Sequence, residues 1–129
     1  MNLKITTFLL AGLALTAHAA LPIQNHAAAN LVLGQTDFTS KLAPTPPSAT
    51  SLSYPASVAI DPVTRKVFVS DNSNNRVLRY ASADALANGA AAEVVLGQTS
   101  FATKVATSPP TASSMSGPGG LFLDRLGRL

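Results

Sequence analysis

The sequence predicts an all-β protein, a β-propeller of four-stranded antiparallel blades, on three observations. A long segment repeats, each repeat holds four apolar runs of strand length, and those runs are apolar on both faces. The repeat is the strongest of the three. Asn30-Leu31-Val32-Leu33-Gly34-Gln35-Thr36-Asp37-Phe38 returns as Glu93-Val94-Val95-Leu96-Gly97-Gln98-Thr99-Ser100-Phe101, a shift of 63 residues that keeps Val-Leu-Gly-Gln-Thr and the Phe. Without a gap, Lys41 then meets Lys104, Pro46-Pro47 meet Pro109-Pro110, Pro55 meets Pro118 and Asp61 meets Asp124.

Within one repeat the elements follow in order. Ser57-Val58-Ala59-Ile60, Val67-Phe68-Val69-Ser70, Arg76-Val77-Leu78-Arg79-Tyr80 and Glu93-Val94-Val95-Leu96 are short β-branched and apolar runs bounded by turn residues. Asp61-Pro62-Val63-Thr64 separates the first two and Asp71-Asn72-Ser73-Asn74-Asn75 the next, with Asn and Asp where a tight turn needs left-handed backbone or a self-capping side chain. Both joints read as hairpins, so the sheet is antiparallel. The Ala-rich connection over 81–92 has no proline and one late glycine, which leaves room for a helical turn. Val67-Phe68-Val69 and Val94-Val95-Leu96 are apolar without alternation. Successive strand side chains point to opposite faces, so such runs need cover on both sides, and the sheets should stack face to face. The resulting division is an N-terminal arm at 20–29, a lone outer strand at 30–35, a complete blade at 57–98 and the start of the next blade at 118–129. Pro/Ser/Thr-rich loops fill 36–55 and 99–117.

Residues 1–19 read as a secretory signal peptide. Lys4 gives the positive start, Ile5 to Leu15 an apolar run, and Ala17-His18-Ala19 a small-x-small site with cleavage after Ala19. The run falls well short of the ~20 apolar residues that span a bilayer, so no stable membrane insertion is expected after cleavage. No cysteine follows the site for lipid attachment and no twin arginine precedes it, so the expected location is secreted or periplasmic after export of an unfolded chain. With 12% charged and 5% aromatic residues, the chain has little from which to build a deep core. The absence of cysteine excludes a disulfide framework, a thiolate zinc site and a cysteine nucleophile. The net charge of +3 is dispersed, with Arg65, Lys66, Arg76 and Arg79 its densest group and acids interspersed, which reads as a solvated face and not a nucleic-acid surface.

Ser57-Val58-Ala59-Ile60-Asp61, then Val67-Phe68-Val69-Ser70-Asp71, then Asn74-Asn75-Arg76-Val77-Leu78-Arg79-Tyr80 resemble the NHL repeat. Asn75 stands where that family usually has His and Ser57 where it usually has Gly; the second copy, Pro118-Gly119-Gly120-Leu121-Phe122-Leu123-Asp124, is nearer the family pattern and stops at Leu129 before its second strand. The Val-Leu-Gly-Gln strand with its Phe and Pro-rich tail is similar to a secreted bacterial subgroup. The resemblance implies a six-bladed, TolB-like propeller with about six blades in the parent molecule, of which this fragment holds about one complete blade. Asn30 to Leu33 is a copy of the fourth strand with no first three strands before it, so it is expected to complete the last blade of the parent molecule and close the ring.

Asp71, Asn74 and Arg76 are the candidate polar cluster. An Asp leaving a strand and an Arg five residues later can hold a tight turn in register, and this structural reading is preferred to a ligand contact near a blade edge. Asp61 and Asp124 occupy the same turn in both copies, and a residue repeated in each blade is expected to be structural and not to bind metal. After cleavage only His26 remains among the histidines, no G-x-S-x-G occurs and the acids are isolated in sequence; no catalytic residue, metal ligand or cofactor is therefore assigned. The expected role is an exported scaffold whose loops meet a protein or glycan partner. The alternative, implied by lactonase-like and amidating-lyase-like relatives of the resemblance, is an exported metal-assisted hydrolase or lyase.

Overall fold

The computed structural model describes residues 26–41 and 43–129. The signal peptide, the Ala19 cleavage site and residues 20–25 of the arm lie outside the described residues.

Four strands form one antiparallel meander in the order β1-β2-β3-β4: β1 Pro55–Ile60, β2 Lys66–Asp71, β3 Arg76–Ser82 and β4 Val94–Leu96. They fall on the four expected apolar runs. The β1–β2 joint closes through Arg65 N–H donating to Asp61 O and Asp61 N–H donating to Lys66 O, both at 2.9 Å, with Arg65 left-handed at φ 61°. The β2–β3 joint is a 3-10 turn at Asn72–Asn74 ended by left-handed Asn75, whose N–H donates to Asn72 O. Asparagine tolerates that conformation better than most residues, which explains its place there. The Ala-rich connection carries the helical turn that its composition allows, a 3-10 turn at Ala83–Ala85 started by Ser82 Oγ accepting Asp84 N–H.

The register aligns Val58, Val69, Leu78 and Val95 across one face of the sheet, and Ser57, Ser70, Val77 and Leu96 across the other. On the first face Val67, Val69, Leu78 and Tyr80 form the core, with Leu33, Leu52, Leu86 and Phe101 packed around it from the connections. Burial grades from edge to centre. Val77, Leu78 and Tyr80 on β3 are sealed, whereas Val58 and Ile60 on β1 stand exposed.

Residues 30–35, expected as a strand, join no ladder among the described residues. Val32 instead donates its N–H to Asn88 Oδ1 and accepts from Gly89 N–H, each at 3.0 Å, so this segment is pinned to a loop and not to a strand edge. The segment 118–124 also forms no ladder, but its placement is informative. Asn72 Nδ2 donates to Pro118 O (3.1 Å), Leu121 N–H donates to Ser57 Oγ (3.1 Å), and Gly127 lies so close to Asp61 that a side chain there would meet the carboxylate at 3.5 Å. The second copy therefore runs alongside β1 in the same direction. Leu121 and Leu123 are half-buried and Phe122 between them is exposed, matching half-buried Ser57 and Ala59 on the facing strand.

Gly34 and Gly97 recur in the left-handed region at φ 83° and 84°. A Cβ on Gly34 would sit 2.7 Å from Leu52, and one on Gly97 2.5 Å from Met115 Cγ. Leu52 and Met115 are themselves related by the repeat shift. Gly97→Ala is expected to cost about 1–3 kcal/mol through backbone strain alone, with the clash added, and chemical denaturation checks it. A midpoint equal to that of the parent would contradict this packing.

Candidate functional site

The turn between β2 and β3 builds the most polar buried cluster. Arg76 and Asp71 are both fully buried, and Arg76 Nε donates to Asp71 Oδ2 at 2.7 Å. Asn74 Nδ2 donates to the same oxygen at 2.8 Å, and Ser53 N–H to Asp71 Oδ1 at 2.7 Å. The far end of the guanidinium reaches other segments. Its Nη2 donates to Ser48 O and Ser51 O, each at 2.9 Å, and Nη1 donates to Phe101 O. A planar fork suits this task, since each N–H meets a fixed carbonyl and the charge is cancelled by one carboxylate. The three sequence-selected residues thus meet in one network, and the network ties both Pro/Ser/Thr-rich loops to the hairpin. All the guanidinium nitrogens and both carboxylate oxygens are engaged, which leaves the cluster as a clamp with no group turned to solvent.

Asp61 and Asp124 are not brought to that cluster. Asp61 Oδ1 accepts Val63 N–H (2.8 Å) and Oδ2 accepts Thr64 Oγ1–H (2.6 Å), while Asp124 Oδ1 accepts Leu126 N–H (2.8 Å) and Arg128 N–H (2.9 Å), with Arg128 Nε donating to Oδ2. Hydrogen bonds from Thr64 and Val63 hold the Asp61 carboxyl below its usual range, and those from Arg128 do the same for Asp124. Hydrogen bonding to the charged form is the cause in both. Asp37, whose carboxylate accepts from Thr39 and Ser40, is held well below as well. A depressed folded-state value stabilises the fold above the unfolded value, and that contribution is lost as pH falls. Urea midpoints are therefore expected to drop as pH falls below about 4, and the drop is expected to be smaller in Asp61→Asn. Equal acid sensitivity of the two proteins would refute the assignment.

Tyr80 is sealed on the same strand, and its hydroxyl has no hydrogen-bond partner among the described residues. Burial, with Asp71 nearby, pushes its pKa up to about 12 from 10.0. The neutral phenol is favoured in the fold, so this contribution is complete below pH 10.0 and lost as pH rises toward 12. Tyr80→Phe is expected to be neutral or stabilising by about 1 kcal/mol and to flatten alkaline unfolding, as denaturation at pH 8 and 11 would show. A clear destabilisation at pH 8 would mean that the hydroxyl is satisfied.

The basic group found in the sequence is dispersed by the fold. Arg76 is internal, Arg65 pairs with Asp84 at 3.3 Å, and Lys66 and Arg79 share Glu93 at 2.6 and 3.7 Å.

Two surface recesses lie in the long loops. The first, with a volume of about 150 Å³, is walled by Gly34, Gln35, Thr36, Ser48, Thr50 and Ser51 among others; the second, about 310 Å³, has Gly97, Gln98, Thr99, Thr111, Ser113 and Ser114 at the same positions one repeat later. Their floors are equivalent turns. Ser48 N–H donates to Ser51 Oγ at 2.8 Å, and Thr111 N–H to Ser114 Oγ at 2.7 Å. Ala49 and Ala112 are identical at the repeat shift, and the hydroxyl residues on either side of them, Ser48 and Thr50 against Thr111 and Ser113, were the available signal in the sequence. Among the described residues no group of three His, Cys, Asp or Glu is gathered as for a metal ion, and no helix is long and apolar enough to cross a membrane.

A family model for the NHL repeat matches residues 52–80, which span β1, β2, their turns and Asp71, Asn74, Arg76 and Tyr80. No curated protein and no solved structure matches the chain. The chain carries an NHL repeat at residues 52–80, which supplies β1, β2 and most of β3 of its four-stranded antiparallel sheet.

Proposed function

We propose that this chain is part of an exported NHL-repeat propeller that serves as a binding scaffold for a protein or glycan. The observation that carries the reading is the duplicated recess: a hollow walled by residues at equivalent positions recurs at the repeat spacing, as expected when each blade presents one copy to a repetitive or extended partner. NHL repeats are commonly protein-interaction scaffolds, and the matched segment spends its conspicuous polar residues on its own loops. The two copies of the first strand, parallel and adjacent, support blade stacking about an axis. The start of the chain supports export, and mass spectrometry of the exported protein is expected to find Ala20 at the amino terminus.

Elemental analysis of the exported protein tests the scaffold role. A scaffold is expected to carry no stoichiometric zinc or calcium. One equivalent of either, lost together with a hydrolytic or lyase activity on chelation, would overturn it.

A further inference from the structure

Arg76 stands between the two loop recesses. Its Nη2 donates to Ser48 O and Ser51 O, and both of these residues wall the first recess. Its Nη1 donates to Phe101 O, which lies in the chain between Thr99 and Thr103, two residues that wall the second. Asn75 adds two holds on the second recess: its carbonyl accepts from Gln98 Nε2, and its Nδ2 donates to Lys104 O, each at 2.9 Å. Gln98 in turn closes that recess, donating to Val105 O at 2.8 Å and accepting Val105 N–H at 3.0 Å. Two adjacent residues of one turn therefore hold the walls of both hollows.

The guanidinium cannot yield to one side alone. Its Nε is fixed on Asp71, which Asn74 and Ser53 fix in turn, and both members of the pair are fully buried, so a turn away from the carboxylate would strand a charge. The planar fork keeps Nη1 and Nη2 in one rigid frame. A shift of the Ser48–Ser51 turn that tilts this frame moves the donor offered to Phe101 O, and the reverse holds equally. We infer that Arg76 couples the two recesses, so that a partner seated in one alters the walls of the other. Arg76 acts here as a positioning residue and touches the occupant of neither hollow. Such coupling is reciprocal: what the first occupant does to binding at the second recess, the second does at the first. A repetitive partner that spans consecutive recesses then meets them as a linked set. This role rests on the recesses being the binding surface, whereas the coupling itself is measured with no partner present.

Amide hydrogen exchange in the full chain, followed residue by residue by NMR, reads it. Ser51→Ala removes the hydroxyl that accepts Ser48 N–H at the first recess, and Gln98→Ala removes the side chain that closes the second. Ser51→Ala is expected to speed exchange at Val105, and Gln98→Ala to speed it at Ser48, each by about fivefold or more. The Arg65 amide, which donates to Asp61 O in the β1–β2 turn, is expected to keep its rate in both and so separates coupling from general loosening. Lys104 Nζ also reaches across from one loop to Thr45 Oγ1 of the other at 3.4 Å. Adding Lys104→Ala to either variant is expected to leave the effect intact. Exchange at the remote recess no faster than in the parent would overturn the inference. So would acceleration shared equally by Arg65, or an effect that vanishes with Lys104→Ala.

Discussion

Arg76→Ala is expected to destabilise the sheet by about 3–5 kcal/mol, close to the whole stability of a domain with so small a core. The side chain is fully buried, and its loss strands the Asp71 carboxylate with Asn74 and Ser53 as its remaining donors. It also strips the carbonyls of Ser48, Ser51 and Phe101 of the donor that gathers them. Removing one member of a buried pair leaves an uncompensated charge, which explains why the effect exceeds the worth of the contact itself. Arg76→Lys is expected to recover little, because a single ammonium cannot meet carbonyls on two separate loops and the carboxylate at once. Proteolysis should then cut first in 36–55 and 99–117, the loops that the clamp holds. Urea unfolding with limited proteolysis reads both effects. A loss below about 1 kcal/mol would mean that the guanidinium is solvated, and the clamp would be abandoned.

Leu78→Ala is expected to cost about 2–5 kcal/mol. Leu78 has no exposed surface and lies in line with Val69 on one side and Val95 on the other. Leu33, Leu52 and Phe101 press on the same cluster from loops that cannot easily collapse into a vacated space, because Gly34 already contacts Leu52 at the closest approach a side chain would forbid. Cavity and lost transfer energy therefore add. Val58→Ala, on the same face but exposed, is expected to change the unfolding free energy by under about 0.5 kcal/mol. Equal costs at the two positions would contradict the graded burial from β3 to β1.

These contrasts show what the sequence made legible. Short apolar and β-branched runs located all four strands, because the signal there is local, and self-capping Asp and Asn marked the two joints between the first three. Asp71, Asn74 and Arg76 could be grouped for the same reason, lying within one turn. Their partners could not. Ser48, Ser51 and Phe101 reach Arg76 with main-chain carbonyls, and a carbonyl acceptor leaves no trace in residue type. Residues 30–35 carry a strand's composition, but strand formation needs an edge to pair with, and this segment meets the Asn88–Gly89 loop instead. The duplicated recess was encoded in the hydroxyls beside Ala49 and Ala112, a pattern of small polar residues that composition alone reads as ordinary loop.

The proposed blade stacking rests on the placement of residues 118–124 against β1, and a double variant, S57C/L121C, tests that placement most directly. The chain has no cysteine of its own, and the Leu121 N–H donates to Ser57 Oγ at 3.1 Å, which brings the two residues side by side. At high dilution, oxidation is expected to form a disulfide within one molecule, seen as a faster-migrating monomer on a non-reducing gel that reverts on reduction. Two thiols that stay free, or that bridge only between molecules, would contradict it.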